Sequence, residues 1–291
     1  MGEIKNYELK LTAVGPLSIG SNISYGKKEY LSYRSGTVCI INTDILVEWA
    51  AKSGHMDAFE NFMLCEPGRN LLNFFEGLRA DPNSIKGLVL YKVDSGAALF
   101  GDRTAEIKAF IKNPSGAPYI PGSSLKGALR TVILTKMLRE KRGTLPALQV
   151  GDKNASHLTE TMLLNTLNRH RNTPNALNSI MSAILISDSE SISPERLTLN
   201  KKTDISKDGF KNQLNTIRET LRPGTEAKMV LSVKPEAGKL DAKFIADAIK
   251  EFYPWYSETY MSKFKGLPPL PEEDTENAIF LGGGCGCFAK N

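Results

Sequence analysis

Hydrophobic residues recur along this chain with two periods. Tyr7, Leu9 and Leu11 alternate with polar neighbours, the repeat of a half-buried strand, and predict a strand over residues 5–14. Ile107, Ala109 and Ile111 repeat that pattern within residues 105–112, and residues 224–235 alternate again. Short apolar runs at 37–41 and 86–93 read as further strands. "SAILISDSESI" (182–192) and the start of "RLTLNKKTDISKDG" read the same way. Elsewhere the period is helical. Leu125, Leu129, Val132 and Ile133 make one apolar stripe on a helix that runs to about residue 141. Phe244, Ile245, Ala248, Ile249 and Phe252 make another. "TDILVEWAAKSG" is a helix with Thr43 or Asp44 as N-cap and Gly54 as stop. Residues 56–65 and 70–79 complete the helical expectations of the first half.

Strands and helices thus mix over two stretches, each opening on a strand. The predicted class is α+β, with antiparallel sheets covered by helices on one side, an order compatible with two ferredoxin-like units. The boundaries read as a first unit at 1–141, a polar, partly helical insertion at 142–181 and a second unit at 182–291. At 291 residues, 41% hydrophobic and 24% charged, the chain is long enough for two cores. No apolar run approaches a membrane span, and the first residues alternate where a signal peptide would be continuously apolar. Cys39, Cys65, Cys285 and Cys287 form no CxxC pair, and His55, His157 and His170 are scattered. That distribution argues against structural zinc and for a reduced, cytoplasmic protein. Net charge is only +5, but residues 121–180 hold nine Lys/Arg against three acids, and residues 241–291 five against eight. A basic middle suits a polyanion, and it equally suits a solvated helix face.

The densest chemistry lies in "YIPGSSLKGALRT", residues 119–131. Gly122 and Gly127 have the glycine spacing of a phosphate-binding loop for nucleotides. The lysine, however, precedes the second glycine, and Ala128 follows it, so the nucleotide triphosphatase reading fails. What remains is a helix start. Pro121 and Gly122 break the preceding strand, and Ser123 or Ser124 is positioned to cap. The first free amides and the positive end of the helix dipole attract anions. Lys126 and Arg130 lie four residues apart on one face. A row of phosphates on an RNA strand would engage this whole surface, whereas one phosphate would not. The plainer alternative is a capped core helix carrying two solvent-facing cations.

A second glycine-rich stretch, "LGGGCGCF" (281–288), holds Gly282, Gly283, Gly284 and Gly286, which let a backbone approach a ligand closely. It lacks the strand, helix and spacing of a dinucleotide site. Tyr253, Trp255, Tyr256 and Tyr260 cluster in the sequence and read as core or interface packing ahead of base stacking.

Together these segments resemble a known family. "PYIPGSSLKGALRT" with "LGGGCGCF" is similar to the RAMP proteins of CRISPR effector complexes. "YELKLTAVGPLSIGS", "ISDSESI" and "ETLRPGTEAKMVLSV" further resemble the Csm subunit 5 family of type III-A complexes. The resemblance runs discontinuously from residue 7 to 288. It implies two RRM-like, ferredoxin-like RAMP units. It also implies a backbone subunit that binds guide RNA (crRNA), caps the filament at the guide 3′ end and supports crRNA maturation and antiviral defence. The implied partners are guide and target RNA, a neighbouring RAMP backbone subunit, the small helical subunit of the Csm complex and host nucleases that trim the guide 3′ end. Carried over, the family motif places Gly122, Ser123, Ser124, Lys126 and Arg130 at the RNA, with Gly282, Gly283, Gly284 and Gly286. Contacts of this kind hold RNA without reading its sequence.

Two departures stand out. Target-cleaving members use an aspartate in the loop after the first strand. Here that loop, "SIGSNISYGKKEYLSYRSG", contains no aspartate, and Glu29 is its only acid. Metal-assisted cleavage there is not expected. Lys27, Lys28 and Arg34 make the same loop a candidate RNA contact. The chain also ends three residues after the glycine-rich stretch, which leaves open that the second unit lacks its last elements. No catalytic residue, metal or cofactor is expected. The rival reading is a RAMP-type endoribonuclease that processes guide RNA, with His55 as the first candidate base, although His55 sits at a helix end.

Overall fold

In a computed structural model the chain is described over residues 2–66, 68–96, 98, 106–141, 155–169, 177–267, 270 and 272–283. The first stretch contains β1 (Lys5–Thr12), β2 (Gly20–Tyr25), β3 (Tyr30–Ser32), β4 (Thr37–Ile41), α1 (Thr43–Lys52), α2 (Met56–Cys65), α3 (Leu71–Leu78), α4 (Pro82–Lys86), β5 (Val89–Asp94), β6 (Glu106–Phe110) and α5 (Gly122–Glu140). Then follow α6 (Ala155–Leu164), β7 (Ile184–Ile186), β8 (Leu197–Ile205), β9 (Lys211–Leu221), β10 (Glu226–Val233), α7 (Ala242–Thr259) and α8 (Glu272–Thr275).

The strands form a three-stranded antiparallel sheet, β1-β10-β7, and a seven-stranded sheet, β2-β6-β9-β8-β5-β4-β3. Strands from both sides of the insertion share each sheet. β1 pairs with β10 over eight positions, from Lys5 opposite Val233 to Thr12 opposite Glu226. In the larger sheet the two halves meet as parallel pairs, β6 with β9 and β5 with β8. The mixed α and β content expected from the periodicities is present, but the described strands do not sort at residues 141 and 182.

Apolar periodicity decides which faces are buried. Leu125, Leu129, Val132 and Ile133 of α5 are all buried, as the stripe predicts. Leu125, Leu129 and Ile133 enter the main core with Ile184, Met229 and Leu231 of the small sheet. Val132 joins Ala248, Phe252 and Tyr256 of α7 instead. A second cluster seats Phe59, Phe62, Phe74 and Phe75 of α2 and α3 on Leu31, Cys39 and Ile41. Phe252, Tyr253 and Tyr256 are buried against one another and Phe280, so the aromatic cluster near the C-terminus is packing, as expected.

Several expectations are corrected locally. The cap of α1 is Asn42, one residue earlier than read, and its Oδ1 accepts the amides of Asp44 and Ile45 at 3.1 and 3.3 Å. The strand read over 182–192 is a strand only at Ile184–Ile186. Ser182 and Ala183 end a 3-10 turn (Ile180–Ala183), and residues 187–192 are a non-strand segment bonded to β10 on one side and to Pro118 and Ile120 on the other. "SIGSNISYGKKEYLSYRSG" is not one loop, because it contains β2 and β3. β9 was not foreseen at all. Its apolar residues Leu214, Ile217 and Leu221 follow helical spacing, and its burial comes from Glu219 and Thr220 as well as Ile217 and Leu221.

Candidate RNA-binding surface

α5 begins at Gly122 because Pro121, in extended geometry, ends the preceding segment. A serine cap was expected, yet neither Ser123 nor Ser124 caps the helix. The N-terminus is held in trans. The Gly122 amide donates to Asp188 Oδ1 at 2.8 Å. Ile120 donates to Ser189 Oγ at 2.9 Å, and Ser189 N–H returns a bond to the Ile120 carbonyl at 3.0 Å. "ISDSES" is therefore the clamp on "IPGSS". On its other side Ser187 and Glu190 bond Val230 and Lys228 of β10. Gly122 serves this junction. A Cβ there would overlap the Ile186 carbonyl oxygen and stand 2.6 Å from that of Ser187. Its amide meets a carboxylate, so Gly122 shapes the helix mouth without offering a free donor.

One turn on, Lys126 is half-buried and Arg130 exposed. Arg130 pairs with Glu160 of α6, so that helix lies against this face. Lys126 has no ion-pair partner among the described residues. Burial, with Lys234 and Arg130 as positive neighbours, pushes its ammonium below the ordinary lysine range. Lys234, which follows β10, was missed by sequence reading. No local motif could have found it, because strand pairing alone brings it to α5.

The described start of the glycine-rich stretch, residues 281–283, lies elsewhere, against the first loop. Gly282 has φ +85°, and a Cβ on it would overlap the Ser18 carbonyl oxygen. The Gly283 amide donates to that same carbonyl at 2.6 Å. Arg218 of β9 lies alongside, and a Cβ on Gly283 would stand 3.1 Å from its Nη1. Arg218 is the second cation that sequence reading missed. Gly284, Gly286, Cys285 and Cys287 lie outside the described residues.

The first-loop cations divide. Lys28 is committed to structure. Its Nζ donates to the carbonyls of Phe62 and Met63 at 2.5 and 2.9 Å and lies over the Phe62 ring, capping the end of α2. Lys27 is half-buried, and Arg34 is exposed in the turn between β3 and β4. Glu29 accepts the Gly26 amide at 2.7 Å and closes a turn. His55 packs on the Trp49 ring at 5.6 Å between centroids. His157 is exposed on α6, and His170 lies outside the described residues. Among the described residues no group of three or more His, Cys, Asp or Glu is placed to hold a metal. Nor is any helix among them long and apolar enough to cross a membrane.

The fold and these motifs define a class. The RAMP superfamily model matches residues 10–286, and the chain belongs to that superfamily. Within it, the resemblance to the subunit 5 family is upheld by curated relatives, each described as "CRISPR system Cms protein Csm5". That of Mycobacterium tuberculosis (strain H37Rv) is 27% identical over 318 residues, covering 99% of this chain and 83% of the relative. That of Streptococcus thermophilus is 26% identical over 316 residues, covering 99% and 80%. Among solved structures, the crystal structure of T. onnurineus Csm5 superposes with TM-score 0.66 at 21% identity, covering 87% of this chain and 81% of that one. A chain of a cryo-EM Csm–crRNA–target RNA ternary complex of a type III-A system gives TM-score 0.71 at 20% identity, covering 98% and 86%.

Proposed function

We propose that this protein is a guide-RNA-binding backbone subunit of a type III-A CRISPR complex and performs no chemistry on the RNA. Lys126 carries the reading. It is a half-buried cation on a rigid, well-packed helix, with no counter-ion among the described residues. A phosphodiester backbone supplies that counter-ion in any sequence, as a subunit accepting every guide requires. The family and its relatives, one of them solved in a complex with crRNA and target RNA, support the same reading.

In this proposal Ser123, Ser124, Lys126 and Arg130 face the guide backbone, with Lys27, Arg34 and the stretch containing Gly282, Gly283, Gly284 and Gly286. Gly122 and Lys28 act indirectly, by holding the helix mouth and α2. The subunit caps the filament at the guide 3′ end as two ferredoxin-like units interlaced through shared sheets. It meets a neighbouring RAMP subunit, the small helical subunit, target RNA and the host nucleases that trim the guide, all in the cytoplasm.

The test is Lys126→Ala with Arg130→Ala in the assembled complex. Loss of guide with retained assembly supports the reading. Unchanged guide binding with lost assembly makes the chain a protein-assembly module instead. RNA cleavage by the purified chain that His55→Ala abolishes would make it the processing ribonuclease.

A further inference from the structure

We propose that Lys126 and Lys234 together hold a single phosphate of the bound RNA, so that the end of β10 belongs to the RNA-binding surface. This rests on the reading above and adds a residue that no family motif assigns. The geometry follows from strand pairing. Gly122 lies against the carbonyls of Ile186 and Ser187, at the end of β7. From there α5 packs on β7, with Leu125, Leu129 and Ile133 in one cluster with Ile184, and Lys126 lies one helical turn, about 5.4 Å, beyond the helix start. Lys234 stands at the opposite end of β7. Val233 pairs with Ile184, and the Lys234 amide donates to the Ala183 carbonyl at 2.9 Å. Both lysines therefore flank β7, and Lys234 stands near enough to be a positive neighbour of Lys126, although the two come from distant parts of the chain.

The surrounding charges do not neutralise them. Glu160 pairs with Arg130, and Glu236, two residues beyond Lys234, pairs with Arg169 at 3.1 Å. Lys126 and Lys234 are both half-buried and have no ion-pair partner among the described residues. Two partly desolvated like charges side by side are unfavourable in the free protein, and the positive neighbour contributes to the lowered proton affinity of Lys126. An anion between them relieves both costs. A phosphodiester fits because it offers two free oxygens, one for each lysine.

The test measures binding of a guide-length single-stranded RNA to the full chain, at several salt concentrations, for Lys126→Ala, Lys234→Ala, the double variant and Lys234→Arg. Lys234→Ala is expected to weaken binding several-fold and to reduce the slope of log K against log salt by about one. The double variant is expected to bind about as weakly as either single variant, since both lysines serve one phosphate. Lys234→Arg should restore most of the affinity. Folding is not at risk, because removing one of two repelling charges leaves the denaturation midpoint unchanged or raised. Wild-type affinity and slope in Lys234→Ala, with Lys126→Ala weakened, overturn this inference and leave the functional reading intact. Fully additive losses overturn the shared phosphate. Unchanged binding in all variants overturns the functional reading itself.

Discussion

Replacing Glu219 by alanine is expected to be among the most destabilising single substitutions in this fold. Glu219 sits on β9 with no exposed surface. Its two oxygens accept three bonds, from Lys112 Nζ at 2.5 Å, Tyr91 Oη at 2.6 Å and the Phe110 amide at 2.8 Å. Lys112 has only 14% of its side chain exposed and lies over the Tyr91 ring. Burial and the Glu219 charge both push the Tyr91 hydroxyl well above the ordinary tyrosine range, so it stays a donor at every ordinary pH. Truncation to alanine takes the carboxylate from a largely buried ammonium, a half-buried hydroxyl and the β6-end amide, and leaves the ammonium only the Phe110 carbonyl at 3.4 Å and the Tyr91 oxygen. Breaking a buried ion pair from one side costs about 3–5 kcal/mol, a large fraction of the roughly 5–15 kcal/mol that holds a domain folded. Urea unfolding reads this as a lowered midpoint. The double variant Lys112→Met with Glu219→Leu removes the unpaired ammonium and should recover part of the loss, while the Tyr91 hydroxyl and the Phe110 amide still lack their acceptor. An alanine variant within about 1 kcal/mol of wild type would refute the view that this network is tightly coupled and buried.

Three further outcomes follow from particular contacts. Burial and its positive neighbours make Lys126 lose its proton at lower pH than an ordinary lysine, and a phosphate beside it, as proposed, would raise its proton affinity. RNA affinity should therefore be complete at neutral pH and fall as pH rises into the alkaline range, and Lys126→Arg should flatten that fall in fluorescence anisotropy titrations. Gly282→Ala introduces a side chain at φ +85° against the Ser18 carbonyl, so it should lower stability by about 2 kcal/mol in urea unfolding. Asp188→Ala removes the acceptor of the Gly122 amide and should cost about 1 kcal/mol, with a matching rise in hydrogen exchange at the start of α5.

What could be read in the sequence was local. The apolar stripe of α5, the alternation in β1 and β10 and the helices α1 and α2 each depend on neighbours within a turn or two, and each appears close to where its period put it, with the α1 cap one residue earlier at Asn42. What escaped depends on partners far along the chain. The acceptor for the α5 amide is Asp188, sixty-six positions away, so a serine cap was the natural but mistaken expectation. β9 carries helical apolar spacing and is a strand because β8 and β6 flank it, with Glu219 buried by Lys112 and Tyr91. Lys234 and Arg218 sit in unremarkable strand sequence and gain meaning only from pairing register. Lys28 shows the reverse, a basic loop residue in sequence that is a helix cap in space.

The most direct test is to purify the complex assembled with this chain, crosslink it, and sequence the RNA attached to this subunit. A guide with one defined, protected end, crosslinked near α5 in wild type and lost in Lys126→Ala with Arg130→Ala, is the predicted result. No RNA, or random short RNA unaffected by those substitutions, would contradict the account.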